Sequence, residues 1–155
     1  MSRFVFSLTA ATLALSTPAL AQDEAADTAT QAVLAALGEG YLEANLSNGA
    51  RQFRRCQSCH TLTEGGRNTV GPNLWGIVGA SAAYNETFNY SRPLSESGLV
   101  WDAATLDSWI ENPRAMVPGN RMSFVGLRDA AARRDVIAYL AVETTAQDAT
   151  SVVSE

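Results

Sequence analysis

The chain has 155 residues, with 16 acidic and 11 basic side chains and a formal charge of −5 at pH 7. A chain of this size forms one domain with little room for a second. Its arginines are balanced by acids, which leaves nucleic-acid binding without the basic surface it requires.

The first 21 residues read as a secretory signal: Arg3 supplies a minimal positive start, Phe4 to Leu15 an apolar run, and Ala19-Leu20-Ala21 a cleavage site before Gln22. The run is shorter than the roughly 20 residues needed to span a bilayer. An uncleaved anchor is the alternative, and Pro18 with its small neighbours favours cleavage. No other segment is apolar enough to cross a membrane, so a soluble mature protein with no stable membrane insertion is expected. Residues 22–46 are rich in Ala, Thr and acids, with five acidic residues and no basic one between Asp23 and Glu43. They read as an acidic linker or loosely packed extension, with a helical turn or two over Gln31 to Leu37 before Gly38 and Gly40 interrupt.

The domain proper is expected over 47–142. Ser47 can cap a helix from Asn48 to about Cys56, with Phe53 as its main apolar contact. Next comes Cys56-Gln57-Ser58-Cys59-His60, which holds both cysteines and the single histidine of the chain. C-x-x-C-H is the c-type haem attachment pattern: two thiols two residues apart meet neighbouring vinyl groups, and the next imidazole can turn under the ring to the iron. A thioredoxin-like pair would need a βαβ context that the surrounding Ala- and Arg-rich sequence does not offer. Structural zinc wants four Cys or His ligands, and three exist. A short-loop disulfide would leave His60 without a role.

From Thr61 to Gly79, glycines and Pro72 punctuate a loop. Asp102 caps a helix through Glu111, with Leu106, Trp109 and Ile110 on one face, and Pro113 stops it. Asp129 caps a last helix to about Val142, with Val136, Ile137 and Leu140 inward and Arg133 and Arg134 outward. Residues 143–155 read as a disordered acidic tail. No run alternates as a strand should, so the fold expected is all-α: three main helices plus short helices and loops wrapped around one haem. Long loops would be suspicious in an ordinary core, and a large apolar cofactor for them to pack on resolves that.

With one histidine, two imidazoles on one iron are excluded within the chain. Met1 leaves with the signal, so Met116 and Met122 are the remaining soft ligands. Met122 follows Pro118-Gly119-Asn120-Arg121, a turn able to aim a side chain inward. Met116, between Ala115 and Val117, reads as ordinary packing, and a five-coordinate iron is the third option. Thioether ligation raises the reduction potential and closes the sixth position, which suits electron transfer.

Over roughly Ser47 to Val142 the sequence resembles the class I c-type cytochromes of the mitochondrial and bacterial c2 type. The matching pieces run in order: Cys56 to His60; Gly71-Pro72-Asn73-Leu74-Trp75-Gly76; Phe88-Asn89-Tyr90-Ser91; Gly98-Leu99-Val100-Trp101; Asn112-Pro113; Pro118 to Phe124; and Asp135 to Leu140. The resemblance implies that Pro72 offers its carbonyl to His60, and that Tyr90 and Trp101 bond a buried propionate. It also implies that Asn120 lies near the sulfur side of Met122, that Phe124 covers the haem edge, and that Gly49 and Phe53 meet the last helix near Val136 and Tyr139. Two departures stand out: Ala80 and Ser81 occupy positions where many relatives carry an Arg near the propionates, and Trp109 replaces a Tyr that bonds the methionine sulfur.

The function expected is that of a periplasmic monohaem cytochrome, not an enzyme, carrying single electrons from a quinol-oxidising complex to a terminal oxidase or soluble reductase. Docking would be transient, and the protein a monomer. The alternatives are the haem subunit of a multi-protein oxidoreductase and a peroxidase-like enzyme with Met122 unbound. The chain has no lysine, and Arg54, Arg55, Arg67, Arg114, Arg121 and Arg128 lie close in sequence to the haem-binding segments. They suggest either a docking rim for an acidic partner or a plain solvated surface.

Overall fold

The computed structural model describes residues 19–151, with side chains described for 24–145. The expected signal falls largely outside the described residues, as do residues 152–155. Among those described there are six α-helices: α1 (Ala19–Leu37), α2 (Leu46–Phe53), α3 (Arg92–Ser95), α4 (Ala103–Glu111), α5 (Pro113–Met116) and α6 (Ala130–Ser151). A 3-10 turn spans Glu39–Tyr41, and the nearest approach to a sheet is one isolated antiparallel bridge between Ser81 and Val100.

The centre of the fold is α6, against which α1, α2 and α4 all pack. Its Val136, Ile137 and Leu140 are buried, as expected. At the α2–α6 crossing a Cβ on Gly49 would lie 2.2 Å from the Asp135 carbonyl oxygen and 2.6 Å from Tyr139 Cβ, so only a residue without a side chain lets the helices approach this closely. Beside it the Phe53 and Tyr139 rings pack with centroids 5.7 Å apart. The Asp135 carboxylate, almost fully buried, accepts from Asn45 N–H at 3.0 Å and Asn48 Nδ2 at 2.7 Å, tying the start of α2 to α6.

Several expectations are corrected. The cap of α2 is Asn45, whose Oδ1 accepts from Asn48 N–H at 2.8 Å, and not Ser47. Asn serves there as well as Ser, and the earlier start ends the helix at Phe53, leaving Cys56 to His60 free to turn. Residues 22–46, expected to pack loosely, are largely α1, and Leu34 is buried. Likewise α6 does not stop near Val142 but continues to Ser151, with Thr144 buried and its hydroxyl donating to the Leu140 carbonyl. The two helices pack on each other, and that tertiary contact supplies what weakly patterned helices need. Arg133 was expected outward and is buried, its side chain 7% exposed. Its guanidinium pairs with Asp107 at 2.8 Å and donates to the Leu127 and Arg128 carbonyls, so the charge is matched on every side. Pro113 ends α4 and also opens α5, with Asn112 Oδ1 capping Ala115 N–H.

Candidate haem cavity

Helices α2, α4 and α6 and the loops between them enclose a cavity of about 570 Å³. Cys56, Cys59 and His60 line one side, and Met122, Phe124 and Leu127 are among the residues lining the rest. The C-x-x-C-H segment is a tight turn continuing from α2. Cys56 and Gln57 N–H both donate to the Phe53 carbonyl, and Cys59 and His60 N–H both donate to the Cys56 carbonyl at 2.9 Å. That winding carries both cysteines and the imidazole to the cavity wall.

His60 is fixed from behind. Its Nδ1 donates to the Pro72 carbonyl at 2.7 Å. A carbonyl can only accept, so Nδ1 carries the proton and Nε2 holds the free lone pair. Burial lowers the imidazole pKa, partly offset by the Pro72 bond, and keeps the ring neutral as a metal ligand must be. Gly71 presses on the ring: a Cβ there would sit 2.4 Å from His60 Cε1. Gly71 N–H and the Thr69 hydroxyl both donate to the Cys59 carbonyl, and Leu74 N–H donates to Thr61 O at 2.9 Å. Burial pushes the Cys56 thiol up to about 11, opposite to the shift of a nucleophilic cysteine, so a thioredoxin-like role finds no support.

Of the two methionines in the described part of the chain, Met122 lines the cavity. Met116 packs against the core and does not line it. Tyr90 and Trp101 also line it; the Trp101 ring stacks edge-on against Trp109 at 5.2 Å. The Tyr90 hydroxyl is buried with no partner, and so is Ser91 Oγ, another lining residue. Burial pushes the Tyr90 phenol up; the Asn85 amide lies near enough to temper this but outside hydrogen-bond geometry. Tyr84, by contrast, donates to the backbone carbonyls of Trp75 and Asn73 and so faces no unmet need. Two orphaned buried hydroxyls at the wall of an apolar cavity fit an incoming group that brings acceptor oxygens.

Sequence reasoning missed three contributors. Ser91 was passed over beside Tyr90, although it ends the same quoted segment. Gly71 was read as part of a loop, and nothing but its neighbour Pro72 signalled a close approach. Asn120 was expected on the sulfur side of Met122, but its bonds to the backbone were not foreseen: its Nδ2 donates to the Pro113 and Val117 carbonyls and its Oδ1 accepts from Met122 N–H. At the position where many relatives carry an Arg, Ala80 N–H donates to the Ile77 carbonyl and its own carbonyl accepts from Trp101 N–H, and the charged residues that line the cavity are Arg55 and Arg121, with no carboxylate among the lining residues.

A helical protein whose cavity is built on a C-x-x-C-H turn, with a neutral imidazole on its wall and the acceptors of an acidic cofactor wanting at its rim, is a covalent haem protein of the c type. No protein-family model matches the chain. Individual relatives do. It is 45% identical over 95 residues to cytochrome c2 of Rhodomicrobium vannielii, covering 61% of this chain and 76% of the relative. It is 39% identical to cytochrome c of Stellaria longipes, covering 65% and 94%. Among solved structures, cytochrome cH from Methylobacterium extorquens superposes with a TM-score of 0.59 at 39% identity, over 63% of this chain and 97% of that one. The chain belongs to the class I c-type cytochromes, monohaem electron-transfer carriers, and its cofactor is haem c attached through Cys56 and Cys59.

Proposed function

We propose that this cytochrome is a periplasmic, monomeric one-electron carrier that takes electrons from a quinol-oxidising complex and passes them to a terminal oxidase or a soluble reductase, with His60 and Met122 as the two iron ligands. The observation that carries the reading is that Met122 is the one thioether among the described residues on the wall of the cavity that His60 also lines. Bound haem supplies a reversible one-electron couple, and a His–thioether pair sets it at a raised potential with no open position for substrate.

The chain's own residues bind and orient. The Pro72 carbonyl holds the His60 proton on Nδ1, which aims the Nε2 lone pair and raises its basicity. Tyr90 would donate a hydrogen bond from its orphaned hydroxyl to a propionate, with the Trp101 indole lining the same cavity. A buried carboxylate needs such donors, because its desolvation is otherwise too costly. Arg55 and Arg121 add positive charge at the same cavity.

The surface favours transient docking. Arg54, Arg55, Arg67, Arg114, Arg121 and Arg128 are exposed, while Glu24, Asp27, Glu39 and Glu43 are exposed on the N-terminal segment, which has no basic residue between 22 and 46. Charge divided in this way steers an acidic partner toward the arginines. Export fits the cofactor too, because thioether attachment needs reduced thiols and free haem beyond the inner membrane, and the first 21 residues have the pattern of a secretory signal. No helix among the described residues is long and apolar enough to cross a membrane.

The test is an optical redox titration of the purified protein and of Met122→Ala. Loss of the ferric Met–iron charge-transfer band and a potential lower by more than 100 mV (about 2.3 kcal/mol for one electron) are expected on removing the thioether. An unchanged spectrum and potential would overturn the ligand assignment.

A further inference from the structure

The segment that carries Met122 has little backbone support of its own. From Arg121 to Gly126, among the described residues, no main-chain N–H or C=O takes part in a main-chain hydrogen bond. Val125 is 94% exposed. The arm is rooted at Leu127, whose N–H donates to the Ile110 carbonyl at 2.9 Å, and at Val117, which is buried. Between these roots the fixed point is Asn120. Its Nδ2 donates to the Pro113 carbonyl at 2.8 Å and to the Val117 carbonyl at 2.8 Å, while its Oδ1 accepts from Met122 N–H at 2.9 Å. The orientation of this amide is unambiguous: turned over, its oxygen would face two carbonyl oxygens and its NH₂ an N–H. Every strong bonding direction but one is therefore spent on the backbone, and that backbone leads directly into the methionine.

We propose that Asn120 is the positioning residue that holds the Met122 arm over the iron. It sets how often the sixth position stands open to an external ligand. The proposal rests on Met122 being the iron ligand. The composition of the chain makes the consequence readable, since there is no lysine and no second histidine to refill a vacated position. Whenever the thioether lets go, the position is available to a small molecule from solution, and apparent affinity for that molecule is its intrinsic affinity scaled by the open fraction. The Arg121 guanidinium, which donates to the Asn89 carbonyl, braces the outer side of the arm but does not touch the backbone of Met122.

The experiment measures azide binding to the ferric holoprotein by optical titration, for the parent, Asn120→Ala, Asn120→Ser and Met122→Ala. Asn120→Ala loses two donors and the acceptor and should raise azide affinity by about tenfold or more, with a weakened Met–iron band, because net hydrogen bonds to backbone groups of this kind tilt an equilibrium by that order; Asn120→Ser, whose single hydroxyl cannot serve both carbonyls, should raise it in the same direction by less. Met122→Ala gives the fully open limit. Asn120→Ser keeps a small polar side chain and serves as the readout should the alanine variant not accumulate as holoprotein. Parental azide affinity in a folded Asn120 variant, with Met122→Ala clearly tighter, overturns the proposal alone. Parental affinity and spectrum in Met122→Ala overturn the ligand assignment beneath it.

Discussion

The two walls of the cavity are built on different plans. Behind His60 the chain is bound to itself many times over: the Pro72 carbonyl on Nδ1, Gly71 against the ring, two donors on the Cys59 carbonyl, and Asn73 bonded to Thr61 and Thr63. Met122, also on the cavity wall, rides on an arm held by one amide, one exposed Arg and apolar packing. Redundant support cannot be removed by a single local opening, whereas support concentrated in one side chain can. The comparison teaches that the His60 wall is retained by the fold as a whole, whereas the proposed second ligand depends on a support that is local.

Substitutions can break this contrast, and the largest effect belongs on the His60 side. Gly71→Ala would drive a methyl into the imidazole, and overpacking against backbone-fixed neighbours costs about 3 kcal/mol. Haem per chain should fall steeply and the denaturant midpoint with it; a fully loaded, equally stable variant would show that the wall is softer than its geometry implies. Arg133→Ala should come next. It strips the Asp107 pair and two backbone carbonyls of their donor, at about 2 kcal/mol after allowance for the partly exposed Asp107. It also loosens the root of the arm at Leu127, so Arg133→Lys, lacking the fork, should recover little of the loss in denaturant melts. The Asn120 variants are expected to lose less global stability than either while changing azide binding more.

The smallest effect concerns pH. The Asp102 carboxyl, capping α4, is held below its ordinary pKa by the Thr105 N–H. A depressed folded pKa means that its contribution is present above the unfolded value near 4 and is lost as pH falls through the folded one. Asp102→Asn should therefore flatten stability against pH below about 4, the acidic limb being steeper in the parent.

The site was more legible than the frame around it. Cys56, Cys59 and His60 could be read because the chemistry dictates their spacing. Met122 could be singled out because the chain offers so few soft atoms, and it lines the cavity. Tyr90 and Trp101 came through resemblance, and both line the cavity. What escaped depends on partners far away in sequence. Arg133 follows the outward phase of its helix and is buried only because Asp107, 26 residues earlier, meets it. Beyond the turn or two expected over Gln31 to Leu37, the helicity of 22–37 is not legible in a run of Ala, Thr and acids with no marked apolar stripe, since burial of Leu34 beside α6 supplies what local propensity does not. Ser47 and Asn45 are equally good caps, and only the Asp135 carboxylate waiting on Asn45 N–H and Asn48 selects between them.

The bonds of Asn120 close within ten residues, from Pro113 to Met122. The methionine arm is thus a cassette whose internal wiring travels with it. A ten-residue graft from 113 to 122 would carry its own fastening into a related scaffold, and exchanging such cassettes would retune a carrier without disturbing the histidine face that keeps the haem.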